Sequence, residues 1–446
     1  MRRTRPTLAV RTGAGRSPTG VVSVYDRMCW PDGALENALA TGAHRRELLA
    51  WFGPSEYRRL AALSLQAARA TQGAATAGGA QRAKVYLIPG VLGSQLGWPR
   101  QAGQPRDLLW LDPADIAAGR LMSLRWRREL GGLMALGAIP HTYLALRLRL
   151  AAAGYQVVTH DYDWRADIGV AAADLARRLA HDASPRIVLI GHSMGGLLAR
   201  AALGLCAPAR AASIEWVIGL GTPHGGSIGA VQALRATYPV VLRLAALDRR
   251  HDAQTLGRRV FHSFVSLYQM LPHSLPDLDV FSASDWPITG LRPAQRSLRA
   301  ARDFLDALPP ADSRFICIVG TGQRTVTGIT RARGQFRYEI TDAGDGTVPA
   351  SRASLPGSRA YALACEHGEL TRSARVAAAL IDLIETGSTT RLREGVRARA
   401  GRRVLVSDAM LKAAFRHKLD WQRLDAAARR RYLHALNAPP LLYDAG

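Results

Sequence analysis

Arg186-Ile187-Val188-Leu189-Ile190-Gly191-His192-Ser193-Met194-Gly195-Gly196 runs as a short apolar strand into a glycine-flanked serine, and the helix-spaced stretch Met194-Gly-Gly-Leu-Leu-Ala-Arg-Ala-Ala-Leu-Gly-Leu205 follows at once. A G-x-S-x-G segment between a strand and a helix predicts a sharp turn that strains the backbone at Ser193. Gly191 and Gly195 are needed because side chains there would collide where strand and helix come close. The serine hydroxyl is then held out at the end of a sheet, with a helix N-terminus behind it that favours developing negative charge. Ser193 is the candidate nucleophile.

Working outward, the same strand type recurs in KVYLI from Lys84, GYQVVTHDY, SIEWVIGLG and RFICIVG, and a β-like run RAYALAC precedes Glu366. Helical patterns lie between them in HTYLALRLRLAAAG and VAAADLARRLAHD. Alternation of this kind predicts βαβ units wound on a mostly parallel sheet with helices on both faces. Between Pro223 and about Asp312 the strands stop, and two apolar helix-spaced stretches take over, IGAVQALRATYPVVLRLAAL and VFHSFVSLYQMLP, with Val260, Phe264, Leu267 and Leu271 on one helical face. An insertion at about 224–312, after the strand that follows the nucleophile, would sit over the carboxyl ends of the strands as a lid. The competing reading is a packed excursion with no part in substrate entry.

A serine is a weak nucleophile at neutral pH, so a base must take its proton and an acid must orient the base. His367 in Cys365-Glu366-His367-Gly368 follows a β-like run and is the best-placed base, since only His417 and His434 lie further along. His160 precedes the nucleophile. His192 is expected to point away from the site, because neighbours on the turn cannot fold back on Ser193. Asp345, between Gly344 and Gly346, is the preferred acid, with Asp342 its rival. The oxyanion of a tetrahedral intermediate needs two backbone N–H groups. Met194 is expected to supply one, and Val91, with Leu92 next, the other, from Pro89-Gly90-Val91-Leu92-Gly93. The whole is the pattern of a serine esterase or acyltransferase of the α/β-hydrolase type, with no metal or organic cofactor expected.

At 446 residues the chain can carry such a domain and appendages. We divide it into a helical N-terminal extension and small-residue linker over 1–80, a catalytic domain over 81–386, and a basic helical tail over 387–446. The linker is read in TQGAATAGGAQ, residues 71–81. Hydrophobic residues make up 48% and charged ones 21%, a globular balance. The basic N-terminus is not followed by an apolar stretch of signal-peptide type, and Cys29, Cys206, Cys317 and Cys365 lack the spacing of a zinc site or disulfide framework. A cytoplasmic protein is expected, peripheral to a membrane at most. The net charge of +24 is carried almost wholly by arginine, Lys84, Lys412 and Lys418 being the lysines. It suggests contact with anionic lipid, while nucleic acid is not an expected partner. The competing reading is compositional bias, with the arginines from Arg391 to Arg403 forming a solvated face. The sequence is silent on oligomeric state.

The motifs in combination resemble the lecithin:cholesterol acyltransferase family in its shorter bacterial form. Pro89 to Leu96 is similar to that family's oxyanion loop, Tyr162-Asp163-Trp164-Arg165 to its Tyr-Asp-Trp-Arg signature, and Gly191 to Gly196 to its serine elbow. Ser263 to Pro272 resembles the stretch ending in Leu-Pro within the lid, and Gly344 to Pro349 with His367-Gly368 the acid and base loops. The likeness covers roughly residues 84 to 386. It implies Ser193, Asp345 and His367 as a triad, Trp164 and Arg165 as braces, and a glycerolipid or other long-chain ester as substrate. Animal members close the loop after the oxyanion motif with a disulfide, whereas Gly97–Arg128 holds no cysteine here, which fits an intracellular protein.

Overall fold

The computed structural model describes residues 29–30, 33–77, 82–98, 106–127, 132–397, 401–415 and 417–436. The basic N-terminus and Arg399 lie outside these. Strands β1 (Lys84–Ile88), β5 (Gln156–Thr159), β6 (Ile187–His192), β7 (Ile214–Leu220), β8 (Phe315–Thr321), β11 (Arg359–Ala364) and β12 (Arg393–Glu394) form the central sheet. Smaller sheets use β2 (Ser94–Trp98), β3 (Asp107–Trp110) and β4 (Met134–Ala138), and β9 (Thr325–Ala332), β10 (Gln335–Thr341) and β13 (Val404–Ser407). The central order is β12-β11-β8-β7-β6-β1-β5, parallel throughout except for the edge strand β12. This is the mixed α/β, mostly parallel architecture of the α/β-hydrolase type, and its six parallel strands are the six β-type runs of the sequence.

Burial on both faces explains why those runs read as continuously apolar. In β6, Ile187 and Leu189 share one core with Leu197 and Leu198 of the helix Met194–Leu205 and with Leu175 of the helix Ile168–Ala180. The alternate residues Val188 and Ile190 share the other with Leu146 of the helix Pro140–Ala152 and Leu380 of the helix Ala374–Thr386. The order puts β6 inside the sheet between β7 and β1, so the chain leaving its carboxyl end emerges over the buried core.

Among the described residues three helices precede the sheet, Ala34–Thr41, Arg45–Phe52 and Pro54–Ala77. Their apolar side chains, among them Leu39, Leu48, Phe52 and Leu60, pack on Leu144 and Leu148 of the helix Pro140–Ala152. The expected linker at 71–81 is helical through Ala77, because its alanines are strong helix formers and only Gly73 interrupts them. Residues 78–81 lie outside the described set.

The insertion is more broken than its periodicity predicts. Pro239 starts a second helix, Pro239–Leu247, after Ile228–Leu234, and helices Ala253–Arg259 and Gln295–Asp306 follow. VFHSFVSLYQMLP is not one amphipathic helix. It holds a 3-10 turn at Phe261–Ser263 and a four-residue helix Val265–Tyr268. The Ser263 hydroxyl donates to Val260 O and accepts the Trp126 N–H at 2.9 Å, which diverts the local hydrogen bonding from a helical ladder. Val260, Phe264, Leu267 and Leu271 are all buried nonetheless.

Residues beyond 387 strap the insertion. Lys418 Nζ donates to the carbonyls of Ala245, Asp248 and His251 at 2.7, 2.6 and 2.8 Å, capping the end of Pro239–Leu247. Asp408, buried, meets Arg235 Nε at 2.9 Å and Tyr338 Oη at 2.7 Å. Among the described residues no helix is long and apolar enough to cross a membrane.

Candidate active site

Ser193 has φ 54° and ψ −128°, a conformation that costs a non-glycine residue about 1–3 kcal/mol and persists only where its surroundings impose it. The surroundings are tight. A Cβ on Gly191 would lie 2.4 Å from Gly196 N, one on Gly195 2.3 Å from Ile88 O, and one on Gly196 1.9 Å from Thr222 Oγ1. The Ser193 N–H donates to Leu220 O at 2.8 Å, which ties the turn to β7.

The chain after β8 makes the β9–β10 hairpin and then a tight loop that carries Asp345. Its Oδ1 accepts the N–H groups of Thr347 and Val348 at 2.9 and 2.7 Å, and its Oδ2 lies 2.6 Å from His367 Nδ1. The His367 N–H donates to Asp345 O at 2.8 Å, so the two residues are joined through main chain and side chain. Gly221, at φ 58°, makes this possible, since a Cβ there would lie 2.9 Å from both Asp345 Oδ2 and His367 Nδ1. Asp342 instead pairs with Arg324 at 3.2 Å and is 41% exposed at its side chain, so it is Asp345 that the fold brings to His367. Among the described residues no hydrogen bond reaches Ser193 Oγ, the looser geometry common at unliganded sites.

In the glycine-rich loop after β1, four of the five carbonyls of Pro89 to Gly93 are engaged. Pro89 O accepts from Tyr162 Oη at 2.8 Å, Gly90 O from Gly93 N at 3.0 Å, Leu92 O from Trp110 Nε1 at 2.8 Å, and Gly93 O from Ile139 N at 2.9 Å. The Gly90 N–H donates to Tyr143 Oη at 2.9 Å. Val91 and Leu92 N–H groups have no acceptor among the described residues, and Leu92 holds φ 63°, a strained value for a leucine. A rigid turn with two unspent donors beside a serine suits a developing oxyanion. Trp164 Nε1 donates to Ser94 O at 3.0 Å and its ring meets Phe264 edge-on at 5.4 Å, while Arg165 donates to Leu124 O at 3.0 Å. Trp164 thus braces the chain just after the loop against the insertion, while Arg165 ties its own turn to the segment ending at Leu124.

Over Ser193 opens a largely apolar cavity of about 580 Å³, its open mouth counted in. Val91 and Leu92 wall one side, Ala230 and Ala233 of the helix Ile228–Leu234 another, and Phe261 and Phe264 of the insertion close it. Ser227, Tyr238 and Thr347 join Ser193 as its polar residues, and burial pushes the Tyr238 hydroxyl up to about 12, keeping it neutral.

His192 differs from expectation. It does not reach Ser193, but neither does it point away. Its ring centroid lies 4.7 Å from that of His367, and its two nitrogens bond Tyr143 Oη at 3.0 Å and His367 O at 3.2 Å. Tyr143 was not singled out from the sequence, and no local signal could have done so, for it lies 49 residues from His192 on a helix of ordinary apolar spacing.

Residues 174–246, from the helix before β6 into the insertion, match the PGAP1-like alpha/beta domain, which is the hydrolase-type part of the fold. No curated protein matches the chain. Among solved structures, the Tle4–Tli4 complex aligns with 16% identity over 69% of this chain and 99% of that one, at a TM-score of 0.39. The gene lin2722 product from Listeria innocua aligns with 12% identity over 72% and 99%, at 0.28.

Proposed function

We propose that this hydrolase-type protein is a serine esterase or acyltransferase acting on long-chain acyl esters, of which glycerolipids are the natural class. The observation that carries the reading is the apolar cavity at Ser193, which the insertion closes with aromatic and aliphatic side chains beside the Asp345–His367 pair. The five motifs similar to lecithin:cholesterol acyltransferases support the lipid assignment.

In this scheme Ser193 Oγ attacks the ester carbonyl and passes its proton to His367 Nε2. Asp345 holds the opposite nitrogen, Nδ1–H, so that the correct tautomer faces the serine and the imidazolium is stabilised as it forms. The N–H groups of Val91 and Met194 receive the oxyanion, with Leu92 the alternative to Val91. The alcohol leaves with the proton from His367; water or a second alcohol then gives its proton to His367 and takes the acyl group, and His367 returns the proton to Ser193 Oγ as that ester bond breaks. The net charge of +24 fits peripheral attraction to anionic lipid headgroups, where such substrates reside.

Turnover of p-nitrophenyl esters of increasing chain length by the wild type and by Ser193→Ala tests the reading. Ser193-dependent rates that rise toward long chains support it. Rates confined to short chains would restrict the protein to small soluble esters, and absence of both turnover and fluorophosphonate labelling would refute the catalytic assignment.

A further inference from the structure

We propose that Tyr143 and His192 form a hydrogen-bonded bridge beneath Ser193 that sets the spacing between the oxyanion loop and the loop bearing His367, and that both are positioning residues for the reaction. The inference rests on the esterase reading above but not on the size of the ester.

The bridge runs from Gly90 N–H to Tyr143 Oη at 2.9 Å, from Tyr143 Oη to His192 Nδ1 at 3.0 Å, and from His192 Nε2 to His367 O at 3.2 Å. One atom fixes its polarity. The carbonyl of His367 can only accept, so His192 Nε2 must carry a proton. Burial, with His367 alongside, pushes the His192 imidazole down to about 3, so its Nδ1 carries none and accepts from the Tyr143 hydroxyl. That leaves the Tyr143 oxygen free to accept from Gly90. Each donor has one acceptor and no alternative arrangement satisfies all three bonds.

The site also shows that the bridge is built in. Tyr143 and His192 are 3% and 6% exposed, so neither can trade these bonds for bulk water. A Cβ on Gly93 would lie 2.6 Å from Tyr143 Oη, so the glycine turn is shaped around this hydroxyl. At the other end, the His367 N–H is taken by Asp345 O and Nδ1 by Asp345 Oδ2, and the bridge takes the carbonyl. Nε2 alone remains to face Ser193. The bridge therefore adds to Asp345 and to the 3-10 turn His367–Thr371 a constraint on His367 from the side of the oxyanion loop, anchored to the residue before Val91.

Displacement of catalytic groups by about 1 Å can cost on the order of 10²-fold in rate. The test is p-nitrophenyl butyrate turnover by Tyr143→Phe, His192→Leu, His192→Gln and the Tyr143→Phe/His192→Leu pair, each corrected for folded fraction by thermal melting. We expect kcat per folded molecule to fall on the order of 10- to 100-fold in Tyr143→Phe and in His192→Leu, with KM changing less. The acid limb of the pH–rate profile should shift in His192→Leu. His192→Gln, whose amide can both accept from Tyr143 and donate to His367 O, should restore most of the rate. The pair should lose no more than His192→Leu alone, because both remove one bridge. Unchanged kcat per folded molecule in both single variants, or losses that simply add in the pair, overturn the proposal. Fluorophosphonate labelling of the wild type at Ser193 separates the two levels. Without it the esterase reading fails and this inference with it, whereas a labelled wild type with indifferent variants strikes the bridge alone.

Discussion

His367 Nδ1 lies 2.6 Å from Asp345 Oδ2, and the other carboxylate oxygen of Asp345 is held by the Thr347 and Val348 amides. The carboxylate is thus aimed before any substrate arrives.

Asp345→Asn keeps the shape and removes the function of this contact. The amide oxygen can still accept from Thr347 and Val348, which turns the NH2 group toward His367 Nδ1. That nitrogen must then be an acceptor, and the proton moves to Nε2, where it blocks uptake from Ser193. We expect kcat on a p-nitrophenyl ester to fall roughly 10³- to 10⁴-fold with the melting midpoint little changed. Asp342→Asn, which touches only the Arg324 ion pair, should remain active, and equal losses in both variants would sink the assignment of Asp345.

Chain-length preference should follow Ala233, which lines the cavity from the helix Ile228–Leu234. Ala233→Leu puts a branched side chain into the space assigned to the acyl group. Long-chain p-nitrophenyl esters should lose roughly 10- to 200-fold in kcat/KM, while the acetate ester and fluorophosphonate labelling are retained. A uniform loss across chain lengths would place the acyl chain elsewhere.

The parts of this fold that could be read in the sequence are those where one local pattern had a single structural meaning. β1, β6 and β8 are buried along almost their whole length, and Gly90, Gly191 and Gly320 stand at or just past their carboxyl ends, so apolar runs and turn residues coincide. The β9–β10 hairpin escaped because its two-residue turn is Arg333-Gly334, with φ 51° and 72°, and an arginine in the left-handed region gives no turn signal. His192 was misjudged for a different reason. Its partners Tyr143 and His367 lie 49 and 175 residues away, and only the sheet order brings them together.

The segment beyond residue 387 shows the same limit and yields a stability prediction. By charge it reads as a solvated basic run, yet Asp408 lies buried against Arg235, Thr237 and Tyr338. Arg235 is 4% exposed at its side chain, and its remaining N–H groups reach Leu291 O and Thr289 O. Asp408→Ala would leave that guanidinium buried without a counter-charge, at a cost of about 3–5 kcal/mol. The melting midpoint should fall on the order of 5–10 °C. A midpoint within a degree of wild type would mean that the strap does not hold the insertion.

Buried neutral histidines predict how the protein fails in acid. Burial pushes His160 down to about 4, and His192 and His224 to about 3, each below the ordinary imidazole value near 6.5. Among the described residues neither ring nitrogen of His160 has a hydrogen-bond partner, and burial outweighs the nearby Asp174 charge in disfavouring the protonated form. As pH falls below about 6.5 the unfolded chain takes up protons at these positions and the native chain does not, so acidification favours unfolding. Above that value they contribute nothing to the pH dependence, and the penalty on the native state grows progressively as pH drops toward 4. Each group contributes at most about 1.4 kcal/mol per pH unit in that window, and the three together on the order of 4. Urea midpoints should be flat between pH 7 and 8 and fall steeply from 6.5 to 4.5. His160→Gln should flatten the slope by about one proton, because it removes one site that only the unfolded state protonates. A slope unchanged by that substitution would show that His160 gains its proton in the native protein.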